Sequence, residues 1–149
     1  MSLRARIVAR LGGLINSVRR PVTLGVRAIV RDGEGRVLLV RHTYVPGWYL
    51  PGGAVDPGES VGDALTRELL EEANVRIIGP PRLLAIYFNP RAGSDHVALF
   101  EVTQFEQTSP KLADHEIVEA RLFPVHALPE GTTPSTRARL GGTEESFIW

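Results

Sequence analysis

Glu59, Arg67, Glu68, Glu71 and Glu72 are the residues of this chain whose types and spacing suit chemistry, and they follow a Gly52-Gly53 pair and a Pro57-Gly58 turn. Wound at about 100° per residue, a helix over residues 61–73 puts Val61, Ala64, Leu65, Glu68 and Glu72 on one stripe, with Glu71 at its edge and Leu69 on the other side. A face that begins apolar turns acidic. Carboxylates at i, i+3 and i+4 repel by roughly a few tenths of a kcal/mol per pair in water, and by far more once desolvated. A positive partner is therefore expected. Runs of glutamate on a helix are usually solvated faces; these share a stripe with Val61 and Leu65 and follow a glycine loop, which argues otherwise. Hard oxygen ligands on a rigid scaffold suit Mg²⁺ or Mn²⁺, which keep several waters and bridge to substrate phosphates. The stretch predicts metal-assisted phosphate chemistry.

The elements that position these residues can be read locally. Ser60 is placed to accept a backbone N–H of the first helical turn, and Asp63 three residues later completes a capping box. Asn74 tolerates the left-handed conformation in which helices commonly end, and β-branched Val75 then suits a strand.

Together these residues carry a resemblance to the Nudix hydrolase family. Its pattern is a glycine, five residues, a glutamate, seven residues, Arg-Glu, an aliphatic residue, any residue, Glu-Glu, any residue, a glycine and an aliphatic residue. Gly53, Glu59, Arg67, Glu68, Leu69, Glu71, Glu72 and Val75 fall in register with it. Asn74 departs, standing where the family has glycine.

The resemblance implies hydrolysis of a nucleoside diphosphate linked to another moiety (ADP-ribose, another nucleotide sugar or a nucleoside triphosphate) with Mg²⁺ or Mn²⁺ as cofactor. It implies Glu68, Glu71 and Glu72 as metal ligands, with the Gly53 carbonyl supplying a further oxygen. Arg67 and Glu59 would pair to hold the loop against the helix. Family members differ in their general base, which leaves Glu68 of the motif and Glu116 of a later loop both open. Arg41, His42, Arg91 and His96 are candidates for contact with substrate phosphate or sugar, although each is more often a structural or solvated residue, and Trp48 is a candidate for stacking that simple packing explains slightly better.

Composition bounds the rest. A chain of 149 residues makes one domain able to bury a core. Lys+Arg and Asp+Glu both number 17, so no global charge favours nucleic acid or an anionic membrane. The absence of cysteine removes disulfides and thiolate chemistry and is compatible with the cytoplasm. No apolar stretch approaches the roughly 20 residues of a membrane helix.

Leu3, Ile7, Leu11, Leu14 and Val18 recur at helical spacing among arginines, so residues 1–20 read as an amphipathic basic helix, with docking on its own domain or on a second copy in a homodimer favoured over a membrane-surface or transit-peptide role. The resemblance implies a hydrolase domain over residues 21–149. Within it, residues 22–31 and 36–41 read as strands joined by the Asp32-Gly33-Glu34-Gly35 turn into a hairpin. Further strands are expected at 75–78, 83–88, 96–105 and 119–124, and a last helix at 134–140. Strands around a helix, with helices at both ends, predict an α/β/α sandwich around a mixed sheet, which agrees with the Nudix fold.

Two alternatives accompany the hydrolase. One is a catalytically inactive Nudix-fold nucleotide-binding or regulatory module, disfavoured because all motif carboxylates are present. The other is an RNA 5′-end pyrophosphohydrolase, which the neutral net charge does not support.

Overall fold

The computed structural model describes residues 22–93, 95–142 and 148–149, so the expected helix over residues 1–20 lies outside the described residues. The strands are β1 (Thr23–Val30), β2 (Val37–His42), β3 (Val75–Ile77), β4 (Arg82–Asn89), β5 (Asp95–Val102), β6 (Phe105–Gln107) and β7 (Ile117–Phe123). The helices are α1 (Val61–Ala73) and α2 (Pro134–Leu140), with single 3-10 turns at Pro90–Ala92 and Val125–Ala127. None of the described helices is long and apolar enough to cross a membrane.

The central sheet is mixed, in the order β1-β5-β4. β1 runs parallel to β5, with Val26 opposite Ala98 and Arg27 opposite Leu99, and β4 is antiparallel to β5. Two-stranded pairs β2-β7 and β3-β6 flank it. Val26, Ala28 and Val30 of β1, with Ala98 and Phe100 of β5, meet Ala64, Leu65, Leu69 and Ala73 of α1 on one face. The opposite face buries Ile29, Leu39, Leu50, Tyr87 and Leu99 beneath Leu140 and Trp149. The Arg139 guanidinium stacks 3.8 Å from the centre of the Tyr87 ring and helps hold α2 there. Helices thus lie on both faces of a mixed sheet, as the sequence implies.

The local signals at the ends of α1 hold. Ser60 Oγ accepts the Asp63 N–H at 3.1 Å and donates to Asp63 Oδ2 at 2.7 Å, while Asn74 closes the helix at φ 54°. Three expectations need correction. Residues 22–31 and 36–41 do not form a hairpin: only Arg31 and Val37 bridge, while β1 pairs with β5 and β2 pairs antiparallel with β7. Their apolar runs belong to strands buried on both faces that take partners distant in sequence, and a turn signal between them fixes the bend without fixing the pairing. The strand expected over 96–105 divides into β5 and β6, because after Val102 the chain leaves the central sheet to pair with β3. Leu69, placed by angle alone on the far side of α1, is fully buried in the core, since the helix is covered across a wider arc than one stripe.

The glycine loop is pressed onto β1. Val26 N–H donates to Gly53 O at 2.8 Å, Ala28 N–H to Pro51 O at 2.9 Å, and Val55 N–H to Leu24 O at 2.9 Å. Gly52 has φ 136°, and a Cβ there would run into the Val26 carbonyl, so this approach requires glycine.

Candidate active site

The acidic end of α1 meets the glycine loop from below. Glu72, 3% exposed, accepts the Gly52 N–H on Oε2 at 2.8 Å. Burial pushes its carboxyl up to about 7, against the opposing pull of the Gly52 N–H and Arg27. Glu68 lies over Gly53, so closely that a Cβ on Gly53 would overlap its carboxylate. Burial raises the Glu68 carboxyl as well, with Arg67 opposing. Arg27 reaches in from β1 and donates to Gly52 O and, at 3.3 Å, to Leu50 O. It is a cation of the kind the acid stripe called for.

Arg67 braces the loop. Its Nε and Nη2 donate to Glu59 Oε1 and Oε2 at 2.9 and 3.0 Å, Nη2 also to Ala54 O at 3.0 Å, and Nη1 to Glu68 Oε1 at 2.8 Å. A planar fork is needed to serve both glutamates at once. The pairing holds the Glu59 carboxyl below its ordinary range and the guanidinium well above its own.

The far wall comes from the loop before β7. Asp114 accepts the N–H groups of Glu116 and Ile117 at 2.9 and 2.7 Å and Lys111 Nζ at 2.6 Å, which holds its carboxyl well below the carboxylate range. Thr43 N–H donates to Glu116 O at 2.9 Å, tying the loop to the end of β2. Ligand atoms of His42, Glu72 and Glu116 all fall within 4.8 Å of one another. His42 is buried, and desolvation, then Arg27, lowers its pKa, which favours the neutral imidazole. Arg27, Tyr44, Gly53, Glu68, Glu72 and Glu116 line one cavity of about 450 Å³.

The site thus unites Gly53, Glu68, Glu72 and Glu116, with His42 against Glu72. Other candidates stand apart. Glu71 is exposed, 3.4 Å from Arg67 Nη1, and lines a neighbouring groove that it shares with Glu72 and Glu116 as well as Lys111 and Asp114. Trp48 is 7% exposed and packs edge-on against Phe123 at 4.9 Å, inside the core. Arg41 stacks 5.4 Å from the Trp48 ring and pairs with Glu119 at 3.3 Å. Arg91 is exposed in the 3-10 turn after β4, and His96 lies 5.4 Å from the Phe88 ring. None of these lines the cavity. Arg27 and Tyr44 were missed. An arginine between Val26 and Ala28 in an apolar strand was the available signal for the first; Tyr44 carried none.

The donor set fits a hard divalent cation. Carboxylate oxygens predominate, Gly53 lacks the side chain that would displace Glu68, and the Gly53 carbonyl keeps a lone pair beyond its bond to Val26.

Comparisons with known proteins agree. The family model described as "NUDIX domain" matches residues 21–140. The human protein named 8-oxo-dGDP phosphatase NUDT18 is 31% identical over 115 residues, covering 75% of this chain and 35% of that protein. Rat diphosphoinositol polyphosphate phosphohydrolase 2 is 42% identical over 76 residues, 49% of this chain and 41% of that one. The chain thus spans well under two thirds of the length of these curated relatives. The crystal structure of a MutT NUDIX hydrolase from Burkholderia pseudomallei superposes with a TM-score of 0.68 at 26% identity, covering 80% of this chain and 95% of that one. With a matching domain model, a matching fold and the acid-and-glycine site in place, this chain belongs to the Nudix family.

Proposed function

We propose that this chain is a divalent-cation-dependent pyrophosphohydrolase of nucleotides, using Mg²⁺ or Mn²⁺, with a nucleoside di- or triphosphate as its preferred substrate. The observation that carries the reading is the convergence of Glu68, Glu72 and Glu116 with Arg27 in one cavity over the Gly52-Gly53 loop. The relative named 8-oxo-dGDP phosphatase supports the substrate class.

Glu68 and Glu72, with the Gly53 carbonyl, would hold the cation. When bound, it neutralises phosphate oxygens and acidifies a coordinated water. Glu72 is held in place by the Gly52 N–H, and Arg67 fixes one oxygen of Glu68, leaving the other free. Glu68 is assigned as general base: it takes a proton from the attacking water as the water oxygen bonds to phosphorus and the anhydride P–O bond breaks, the leaving phosphate departing as an oxyanion. Burial raises its carboxyl, which makes it a stronger base than a solvated glutamate. Arg27 offsets the acidic charge of the cavity, which Tyr44 lines beside Glu116.

Turnover should be measured on a panel of nucleoside di- and triphosphates, their 8-oxo forms, ADP-ribose and a diphosphoinositol phosphate, with Mg²⁺ or Mn²⁺. Hydrolysis of nucleoside phosphates ahead of the others is expected. Absence of turnover on every compound would overturn the enzymatic reading.

A further inference from the structure

His42 is a histidine placed as a ligand but not used by the reading above. Its side chain is 4% exposed, its Nδ1 has no hydrogen-bond partner, and its Nε2 stands 3.6 Å from Glu72 Oε1, beyond hydrogen-bond distance. Nε2 is the nitrogen turned toward the acids, and with no hydrogen bond to Glu72 it keeps a lone pair for a ligand when the ring proton sits on Nδ1. The backbone holds the ring deliberately close to the acids. A register slip at the end of β2 pairs Arg41 with Glu119 but His42 with Ile117, which sets His42 beside Glu116. The ring plane is fixed by Tyr44 and Tyr49, whose centroids lie 5.1 and 5.7 Å away. Glu72 Oε2 is occupied by the Gly52 N–H, so Oε1 is the oxygen left to share with His42.

We propose that His42 is a nitrogen ligand, through Nε2, for a divalent cation held jointly with Glu72 and Glu116. The ligand atoms lie within 4.8 Å of one another, and Glu116, the exposed member of the three, is the one with room to adjust to an ion. A mixed nitrogen and oxygen set changes which ion the site prefers. Imidazole favours Mn²⁺, Co²⁺ and Zn²⁺ over Mg²⁺, which an all-oxygen set would accept readily. The inference rests on the metal-dependent reading above, and its test separates the two.

The experiment is pulsed electron paramagnetic resonance on the full chain loaded with Mn²⁺, with binding constants taken from the same titration. Wild-type protein is expected to show echo modulation from a directly bound ¹⁴N, replaced by a ¹⁵N pattern when histidine alone is ¹⁵N-labelled. His42→Ala should abolish the modulation, weaken Mn²⁺ by at least about tenfold and narrow the preference for Mn²⁺ over Mg²⁺. Glu116→Gln should weaken Mn²⁺ while keeping the nitrogen signal. Bound Mn²⁺ without nitrogen coupling overturns the role of His42 and leaves the metal-dependent reading standing; so does a signal that survives His42→Ala. No Mn²⁺ binding at all overturns both. Histidine labelling marks all four histidines, so His115→Ala is measured beside wild type: it should keep the nitrogen signal, and loss of the signal there overturns the role of His42 even if His42→Ala fails to fold.

Discussion

Glu72 Oε2 and the Gly52 N–H are hydrogen-bonded at 2.8 Å across twenty residues of chain, locking the glycine loop to the acidic end of α1. Glu72→Gln keeps an oxygen acceptor for that N–H and removes only the charge. Turnover should fall by about a thousandfold or more, because a lost metal carboxylate forfeits several kcal/mol of transition-state stabilisation. Circular dichroism should be unchanged; turnover near the wild-type rate would refute the metal role.

The same carboxyl predicts how the metal-free protein responds to pH. Burial raises it from 4.5 to about 7. Below about 4.5 it is neutral in folded and unfolded chains alike and contributes nothing. As pH rises, the unfolded chain ionises first, so stability is lost progressively and the loss is complete above about 7. At pH 8 metal-free Glu72→Gln should therefore melt higher than wild type, by on the order of 5 °C, with the gap closing toward pH 5. Added Mg²⁺ should shrink the gap by stabilising wild type alone.

Gly52 and Gly53 should fail in different ways when changed to alanine. At Gly52 a Cβ meets backbone, the Val26 carbonyl, at a positive φ, so Gly52→Ala should destabilise the fold by several kcal/mol, roughly the scale of strain added to overpacking. At Gly53 the obstacle is the Glu68 side chain, which can swing away. Gly53→Ala should melt close to wild type and lose activity, as paired thermal scans and turnover assays would reveal.

Arg67→Lys retains the charge and loses the fork. A single ammonium cannot serve both Glu59 oxygens, Glu68 and the Ala54 carbonyl, so kcat should drop by about ten- to a hundredfold with little change in melting temperature. Equal kcat in the two proteins would show that the brace is idle.

Glu68→Gln and Glu116→Gln distinguish the base from its neighbour. If Glu68 takes the proton, its substitution should lower kcat by about a hundredfold or more and flatten the acid limb of the pH–rate profile. Glu116→Gln should instead preserve the limb and raise the metal concentration needed for half-maximal rate. A limb lost only in Glu116→Gln would reverse the assignment.

The parts of this protein legible in its sequence are those set by local chemistry. Ser60, Asp63 and Asn74 mark the ends of α1 because caps and left-handed closures are decided within a turn of chain. Gly53, Glu68 and Glu72 were legible because one helix and one loop fix their spacing. Partners decided by long-range packing were not: β1 bypasses β2 for β5, and Arg27 arrives at the site through the bonds that press the glycine loop onto β1. Trp48 and Arg41 show the converse limit, since an aromatic and a cation near a glycine loop look functional until the core claims one and the other stacks on it.

Asn74 adopts a backbone conformation that glycine would enter more easily, yet its side chain does what glycine cannot. Its Nδ2 donates to Pro110 O at 3.3 Å and to Ser109 Oγ at 3.4 Å, in the segment leading to Glu116. The helix terminus is therefore also a tether. Asn74→Gly would relax one residue and unfasten the wall opposite, so an engineer guided by backbone preference alone would trade catalytic alignment for local comfort.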